Sequence, residues 1–410
     1  MEVDTHGEVQ SWRSKKTMNR ILIIPSWYKS PDSPSAGSFF EEQAMLMASS
    51  YTIYMFVMER YYLDNLESFV YKPPIHSLEN KCIHVYRLIF PQSHSLSPDE
   101  NLKIQISFGK HGFIDILKEI NSNFALIHAQ ATFPAGIIAQ HLSKLYNIPY
   151  IITEHFGPFN PDFLHSKYVK KEMFSALECA NSVLSVSYHL RQQILMQGIK
   201  CNPKVVGNLV DDNLFCIKKK KRDKCVKLLC VAYYPGFIKD LDNLFSALII
   251  LKDNSIDFHM IIVGGGEPQG GNKGHNLLYE IKQKYDLDEE VTIIGSCNRN
   301  EMRNQMQLCD IYVSSSISET FGVCICEAML CGKPVVLTKN GGSADFTDIT
   351  NSISVEIHDS EQLAHAIIKM TNLYSSFDSN IIRDKIVKRF GRKAFFDRMA
   401  SIYNKYLKNP

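Results

Sequence analysis

Short apolar runs alternate along this chain with longer stretches whose apolar positions lie three and four apart. Ile21–Ile24, Tyr51–Met58, Ile83–Leu88, Ala125–His128, Tyr150–Thr153 and Ser182–Val186 read as strands. Phe39–Ser49, Leu102–Ile120, Gly136–Tyr146 and Tyr168–Ala180 read as helices between them. Strands that are apolar throughout are buried on both faces, and helices between them imply a mostly parallel sheet. A polar stretch with Asp211-Asp212-Asn213 and the run Lys218–Arg222 interrupts the pattern, which then restarts. Val226–Ala232, Phe258–Val263, Val291–Ile294, Ile311–Val313 and the residues after Pro334 predict strands. Leu241–Leu251, Leu277–Tyr285, Asn300–Leu308, the residues after Phe321 and those after Ser360 predict helices.

Two alternating blocks predict an α/β protein of two Rossmann-like domains facing across a cleft. Residues 19–212 form the expected first domain, 213–225 a linker and 226–390 the second domain. Residues 391–410, with a last helix Arg392–Leu407, are expected to pack back on the first. Residues 1–18 are polar, lack a signal peptide's apolar centre, and are expected to precede the fold as a flexible extension.

The length of 410 residues agrees with two cores. A net charge of +2 argues against a broad basic field for nucleic acid. No apolar run approaches the roughly 18 residues of a membrane span. Eleven cysteines, many in apolar segments and none in a CxxC pair, read as buried thiols in a reducing cytosol. No ligand spacing suggests a metal site. Asp240-Leu241-Asp242 opens a helix, where acids favour the dipole, so no metal is assigned to it. The Lys218–Arg222 run reads as solvated linker more readily than as a site for anionic lipid.

The densest chemistry lies in 314–342, SSSISETFGVCICEAMLCGKPVVLTKNGG. Glu319 falls in a loop before a helix that begins near Gly322, and Glu327 about one and a half turns inside it. Helix-end N–H groups attract phosphate, and carboxylates accept hydrogen bonds from sugar hydroxyls. The pair thus suits a sugar diphosphate.

This segment resembles the E-x7-E signature of the retaining family 4 glycosyltransferases (glycosyl transferases group 1), which have the two-domain GT-B fold. The resemblance implies that Glu319 contacts the transferred sugar and Glu327 the ribose of the nucleotide. Backbone groups of Phe321, Gly322 and Val323 would meet the diphosphate. Val205-Val206-Gly207-Asn208-Leu209-Val210-Asp211 with Phe215 is similar to the family's PNGVD…F segment, and Gly264-Gly265-Gly266-Glu267 to its glycine loop. Gly295 resembles the turn near the base, with Asn298 and Arg299 as base or ribose contacts. Lys239 fits the family's phosphate lysine, although Tyr233 or Tyr234 stands where an arginine is usual. His155, ending a strand, matches the family histidine near the reacting carbon. Gly37 would let backbone approach the donor, and Trp27, His128 and Glu154 would line the acceptor pocket.

The implied activity is transfer of a sugar from a nucleotide-diphosphate sugar to a glycan or lipid-linked acceptor, with no metal or other cofactor. The resemblance further implies a cytoplasmic setting, with peripheral association at the inner membrane face. An inactive nucleotide-sugar binding module and a GT-B-type epimerase are the alternatives. An NAD oxidoreductase is disfavoured because Gly264-Gly265-Gly266 lacks G-x-G-x-x-G spacing, position 269 being Gln.

Overall fold

The computed structural model describes residues 18–30, 36–219, 223–232, 236–265 and 273–407. Tyr233, Tyr234, Gly266, Glu267, Lys220, Lys221, Arg222 and most of the N-terminal extension therefore lie outside the described residues.

Fourteen strands build two sheets among the described residues. The first holds β1 (Arg20–Pro25), β2 (Thr52–Tyr62), β3 (Ile75–Glu79), β4 (Ile83–Gln92), β5 (Leu126–Gln130), β6 (Tyr150–Glu154), β7 (Ser182–Ser185) and β8 (Lys204–Val205), in the order β3-β4-β2-β1-β5-β6-β7-β8. The second holds β9 (Val226–Ala232), β10 (Phe258–Gly264), β11 (Val291–Ile294), β12 (Ile311–Ser314), β13 (Val335–Thr338) and β14 (Ser352–Val355), in the order β11-β10-β9-β12-β13-β14. The second sheet is parallel throughout, and in the first only the β3–β4 pair is antiparallel. Both are Rossmann-like sheets.

Alternate residues of each central strand feed opposite cores, as a period of two requires. Ile21 and Ile23 of β1 pack into one core and Leu22 and Ile24 into another. Leu228 and Cys230 of β9 separate from Leu229 and Val231 in the same way. This two-sided burial explains why the strands read as unbroken apolar runs.

The helix Arg392–Asn404 returns to the first sheet. Its Phe395, Met399, Ile402 and Tyr403 share a core with Ile21, Ile53 and Met55. Tyr403 places its hydroxyl 2.7 Å from His128 Nδ1, and Tyr51 donates to Asn404 at 3.0 Å. The chain at 212–215, after the first sheet, is firmly packed. Phe215 is fully buried, and Arg383 donates to the carbonyls of Asp212, Phe215 and Leu330. The segment at 213–216, the start of the expected linker, is thus anchored.

In open parallel sheets, ligands bind beyond the C-terminal strand ends where the strand order reverses. In the second sheet that point lies between β9 and β12, and the loops leaving them carry Lys239 and Glu319. In the first it lies between β1 and β5, whose following loops carry Trp27 and Thr132.

Candidate functional site

Lys239 ends a short 3-10 turn, Phe237–Lys239. Two hydrogen bonds fix that turn to the segment after β12: Ser315 Oγ donates to the Lys239 carbonyl at 2.7 Å, and Ile317 N to the Ile238 carbonyl at 2.9 Å. The ammonium then meets Glu319, with Nζ 2.6 Å from Oε1. Burial alone would lower the lysine's pKa, but the Glu319 carboxylate outweighs it and holds the ammonium above its ordinary value. A lysine with three donors keeps two after this pairing.

Glu319 is itself fastened by backbone. Its N–H donates to the Asn340 carbonyl at 2.9 Å, its carbonyl accepts from Gly342 N at 3.0 Å, and it forms a parallel bridge with Gly341. A Cβ on Gly342 would stand 2.4 Å from the Glu319 carbonyl oxygen, so the glycine at 342 is what permits this approach. Gly322 then turns the chain with φ +93° into the helix Val323–Leu330. The Phe321 ring is buried between Phe346, 5.4 Å away, and Phe390, 4.9 Å away, so its contribution to the cleft is backbone.

Glu327 is 1% exposed, and Arg299 Nη1 donates to its Oε1. Burial pushes the Glu327 carboxyl up, with Arg299 opposing. The same guanidinium lies 4.9 Å over the Phe215 ring and reaches Glu42 on the helix Ser38–Met47 of the first domain. Its Nη2 donates to Glu42 Oε2 at 3.2 Å, and Nε stands 3.0 Å from Oε1. Sequence reasoning missed Glu42, which carries no local signal of this partnership.

Burial pushes Glu42 up to about 7; Arg299 opposes this, and Glu327, Asp211 and Glu41 add to it. The ordinary value is 4.5. A raised carboxyl contributes stability that is present below about pH 4.5 and lost as pH rises through about 7. The loss is on the order of 3 kcal/mol. Glu42→Gln keeps an oxygen for Arg299 and removes the charge. It should therefore melt a few degrees above wild type at pH 8 and level with it near pH 4.5. An equal offset at both pH values, in thermal melts followed by circular dichroism, would contradict this.

In the first domain, His155 is 6% exposed between the Phe39 and Phe40 rings, at 5.2 and 5.1 Å. Its Nε2 lies 2.7 Å from Gln130 Oε1, and Asn208 also acts on the ring. Burial lowers its pKa to about 3, so the ring is neutral. The following loop touches the second domain, because a Cβ on Gly157 would stand 2.3 Å from Thr320 Cγ2. Trp27 packs on Phe40 at 5.1 Å and Phe39 at 6.4 Å, and Gly37 (φ +66°) lets its loop close against the Trp27 carbonyl.

Three expected contacts are corrected. His128 does not line an acceptor pocket: it is 1% exposed, and both ring nitrogens are engaged, by Tyr403 and by Thr153 at 2.7 Å. Glu154 is equally enclosed. It accepts from the N–H groups of Thr132, His155 and Phe156 and from the Thr132 hydroxyl, which fills its oxygens and shapes the loop. The Asn298 side-chain oxygen is not free for a base or ribose contact: it caps the helix Arg299–Leu308 in a capping box with Glu301. Gly264 (φ +136°) and Gly265 (φ +74°) both hold a positive φ at the end of β10, and a Cβ on Gly295 would meet no atom within 4 Å. Asp240 faces His358 at 2.8 Å and Asp242 pairs with Lys284, so these two acids serve different partners.

Comparison with known proteins adds independent findings. The family described as Glycosyltransferase Family 4 matches residues 78–214, and Glycosyl transferases group 1 matches residues 217–386. An uncharacterized glycosyltransferase of Methanocaldococcus jannaschii is 28% identical over 251 residues, covering 60% of this chain and 65% of that protein. The UDP-Gal:alpha-D-GlcNAc-diphosphoundecaprenol alpha-1,3-galactosyltransferase of Escherichia coli is 23% identical, covering 70% of this chain and 76% of its own. The chain spans less than two thirds of the length of the first curated relatives it matches. Among solved structures, an Anabaena protein in complex with UDP superposes with a TM-score of 0.71 at 18% identity, covering 95% of this chain and 100% of its own. That likeness shows a shared fold of two facing Rossmann-like domains.

Proposed function

Since the chain belongs to the glycosyltransferases of family 4 and group 1, we propose that it moves a sugar from a nucleotide-diphosphate sugar to an acceptor hydroxyl. In this reading the transfer retains anomeric configuration and uses no metal ion. The observation that carries it is the Lys239–Glu319 pair at the strand-order reversal, beside the mouth of the helix that bears Glu327.

The roles follow from charge. As the bond from anomeric carbon to phosphate breaks, negative charge grows on the diphosphate. The two remaining Lys239 donors and the N–H groups opening Val323–Leu330 stabilise it there. The acceptor oxygen bonds to the anomeric carbon, and its proton passes to the departing phosphate. Glu319 accepts from sugar hydroxyls, and Glu327 from the ribose. His155, neutral and nearly enclosed, acts through the wall it builds with Phe39 and Phe40, and the Gly157 loop against Thr320 limits water at the reacting carbon.

A uridine nucleotide is the first donor to test, because the Escherichia coli relative is named for UDP-Gal and the Anabaena structure holds UDP. A lipid-linked acceptor fits the same relative's name. Among the described residues no helix is long and apolar enough to cross a membrane. The lipid-linked substrate in the Escherichia coli relative's name supports a place on the cytoplasmic face, peripheral to the bilayer. A thermal-shift screen against UDP-, GDP-, ADP- and dTDP-sugars should give a rise of several degrees with one base only. No shift with any of them would sink the donor reading. Donor conversion without an acceptor would point to an epimerase.

A further inference from the structure

Three neighbouring residues of the helix Ser38–Met47 reach in three directions. Glu41 accepts from Lys29 at 2.7 Å, Gln43 Nε2 donates to Asn208 Oδ1 at 3.4 Å, and Glu42 holds Arg299 of the second domain. Arg299 Nη1 donates to the Glu327 carboxylate. Its guanidinium has three restraints: the Glu327 oxygen, the Phe215 face and the Glu42 carboxylate. Without Glu42, a half-exposed arginine would keep one hydrogen bond and one ring contact, and its long stem would regain rotamer freedom.

From this geometry we infer that Glu42 is a positioning residue of the nucleotide grip: it reaches across the cleft to hold Arg299 against Glu327. The inference rests on the reading that Glu327 takes the ribose hydroxyls. It adds that a residue of the opposite domain completes the grip without touching the nucleotide. The donor half of the cleft is then finished by the acceptor half. The carboxylates facing Arg299 are Glu42 and Glu327, one from each domain; Asp211 acts on both of these acids and is itself 3.9 Å from Arg392. Arg299 is therefore the shared cation of the cluster, and its placement decides where the Glu327 oxygens point.

The test is calorimetric binding of UDP, GDP, ADP and dTDP to the full chain. Glu42→Ala should weaken the nucleotide that wild type binds about tenfold, and Glu42→Gln, which keeps the acceptor oxygen, should restore it to within about twofold. The double variant Glu42→Ala with Arg299→Ala should bind no worse than Arg299→Ala alone, the signature of a residue that acts through another. Wild-type affinity in Glu42→Ala, failure of Gln to rescue, or losses that multiply in the double variant would each overturn the assignment. Glu327→Ala separates the two levels. If it binds as wild type, the ribose reading fails and the positioning role falls with it. If it weakens binding while Glu42→Ala does not, only the positioning role fails.

Discussion

Lys239→Ala is expected to lower turnover by about 100- to 1,000-fold, the range seen when one preorganised electrostatic group is removed from a transition state. Lys239 is held from both ends. Ser315 and Ile317 fix its turn, and Glu319 fixes its ammonium. It therefore needs little rearrangement when charge develops on a neighbouring phosphate. Its removal also leaves the Glu319 carboxylate, with a side chain 19% exposed, without its cation. Affinity for the nucleoside diphosphate should fall as well, since part of the phosphate charge is present before reaction. Steady-state kinetics with the donor found by thermal shift, together with calorimetry, measure the two losses. Unchanged turnover and unchanged affinity would remove Lys239 from the phosphate site.

Gly342→Ala should be nearly as damaging by another route. The added Cβ would stand 2.4 Å from the Glu319 carbonyl oxygen and 2.5 Å from the Thr320 carbonyl carbon, both backbone atoms. No side-chain rotation relieves such a contact, so the 319–320 segment must move. Overpacking of this kind costs about 1–3 kcal/mol, and a displacement of about 1 Å at a reacting group can cost about 100-fold in rate. The expected result is a melting temperature lowered by several degrees and a turnover loss near 100-fold in the fraction that remains folded. A variant with wild-type melting and wild-type turnover would show that the bridge between Glu319 and Gly341 does not set the carboxylate.

Much of this was legible in the residues. Val226–Ala232 and Val291–Ile294 are strands with the expected bounds, because parallel strands buried on both faces announce themselves as apolar runs. The edge strand Ile75–Glu79 was not, since it is largely exposed and its sequence IHSLE has no apolar face. Ile382, Ile386 and Phe390 do form a readable stripe along the helix Ser379–Phe390, with Asp378 as its cap. Asn298 was open to correction from sequence too, because Asn298 and Glu301 spell a capping box. Glu319, Lys239 and Gly322 lie in short segments whose local pattern carries their chemistry. Glu42 lies 257 positions from Arg299, and no local pattern encodes a partner at that distance. His128 and Glu154 misled for a related reason. A strand end predicts a place at the cleft edge, but whether a side chain is already satisfied there depends on Tyr403, Thr132 and Phe156.

The return of the last helix bears on how such proteins can be recombined. Because Tyr403 reaches His128 and Asn404 reaches Tyr51, the transferable unit that would carry acceptor choice is two separate pieces of chain, not one. A hybrid joined once, near residue 212, would bring a foreign helix against the native core of Ile21, Ile53 and Met55 and strand a buried histidine. A hybrid that also exchanges the chain from Gly391 onward keeps that core with its own closing helix, and is the one expected to express as a folded enzyme.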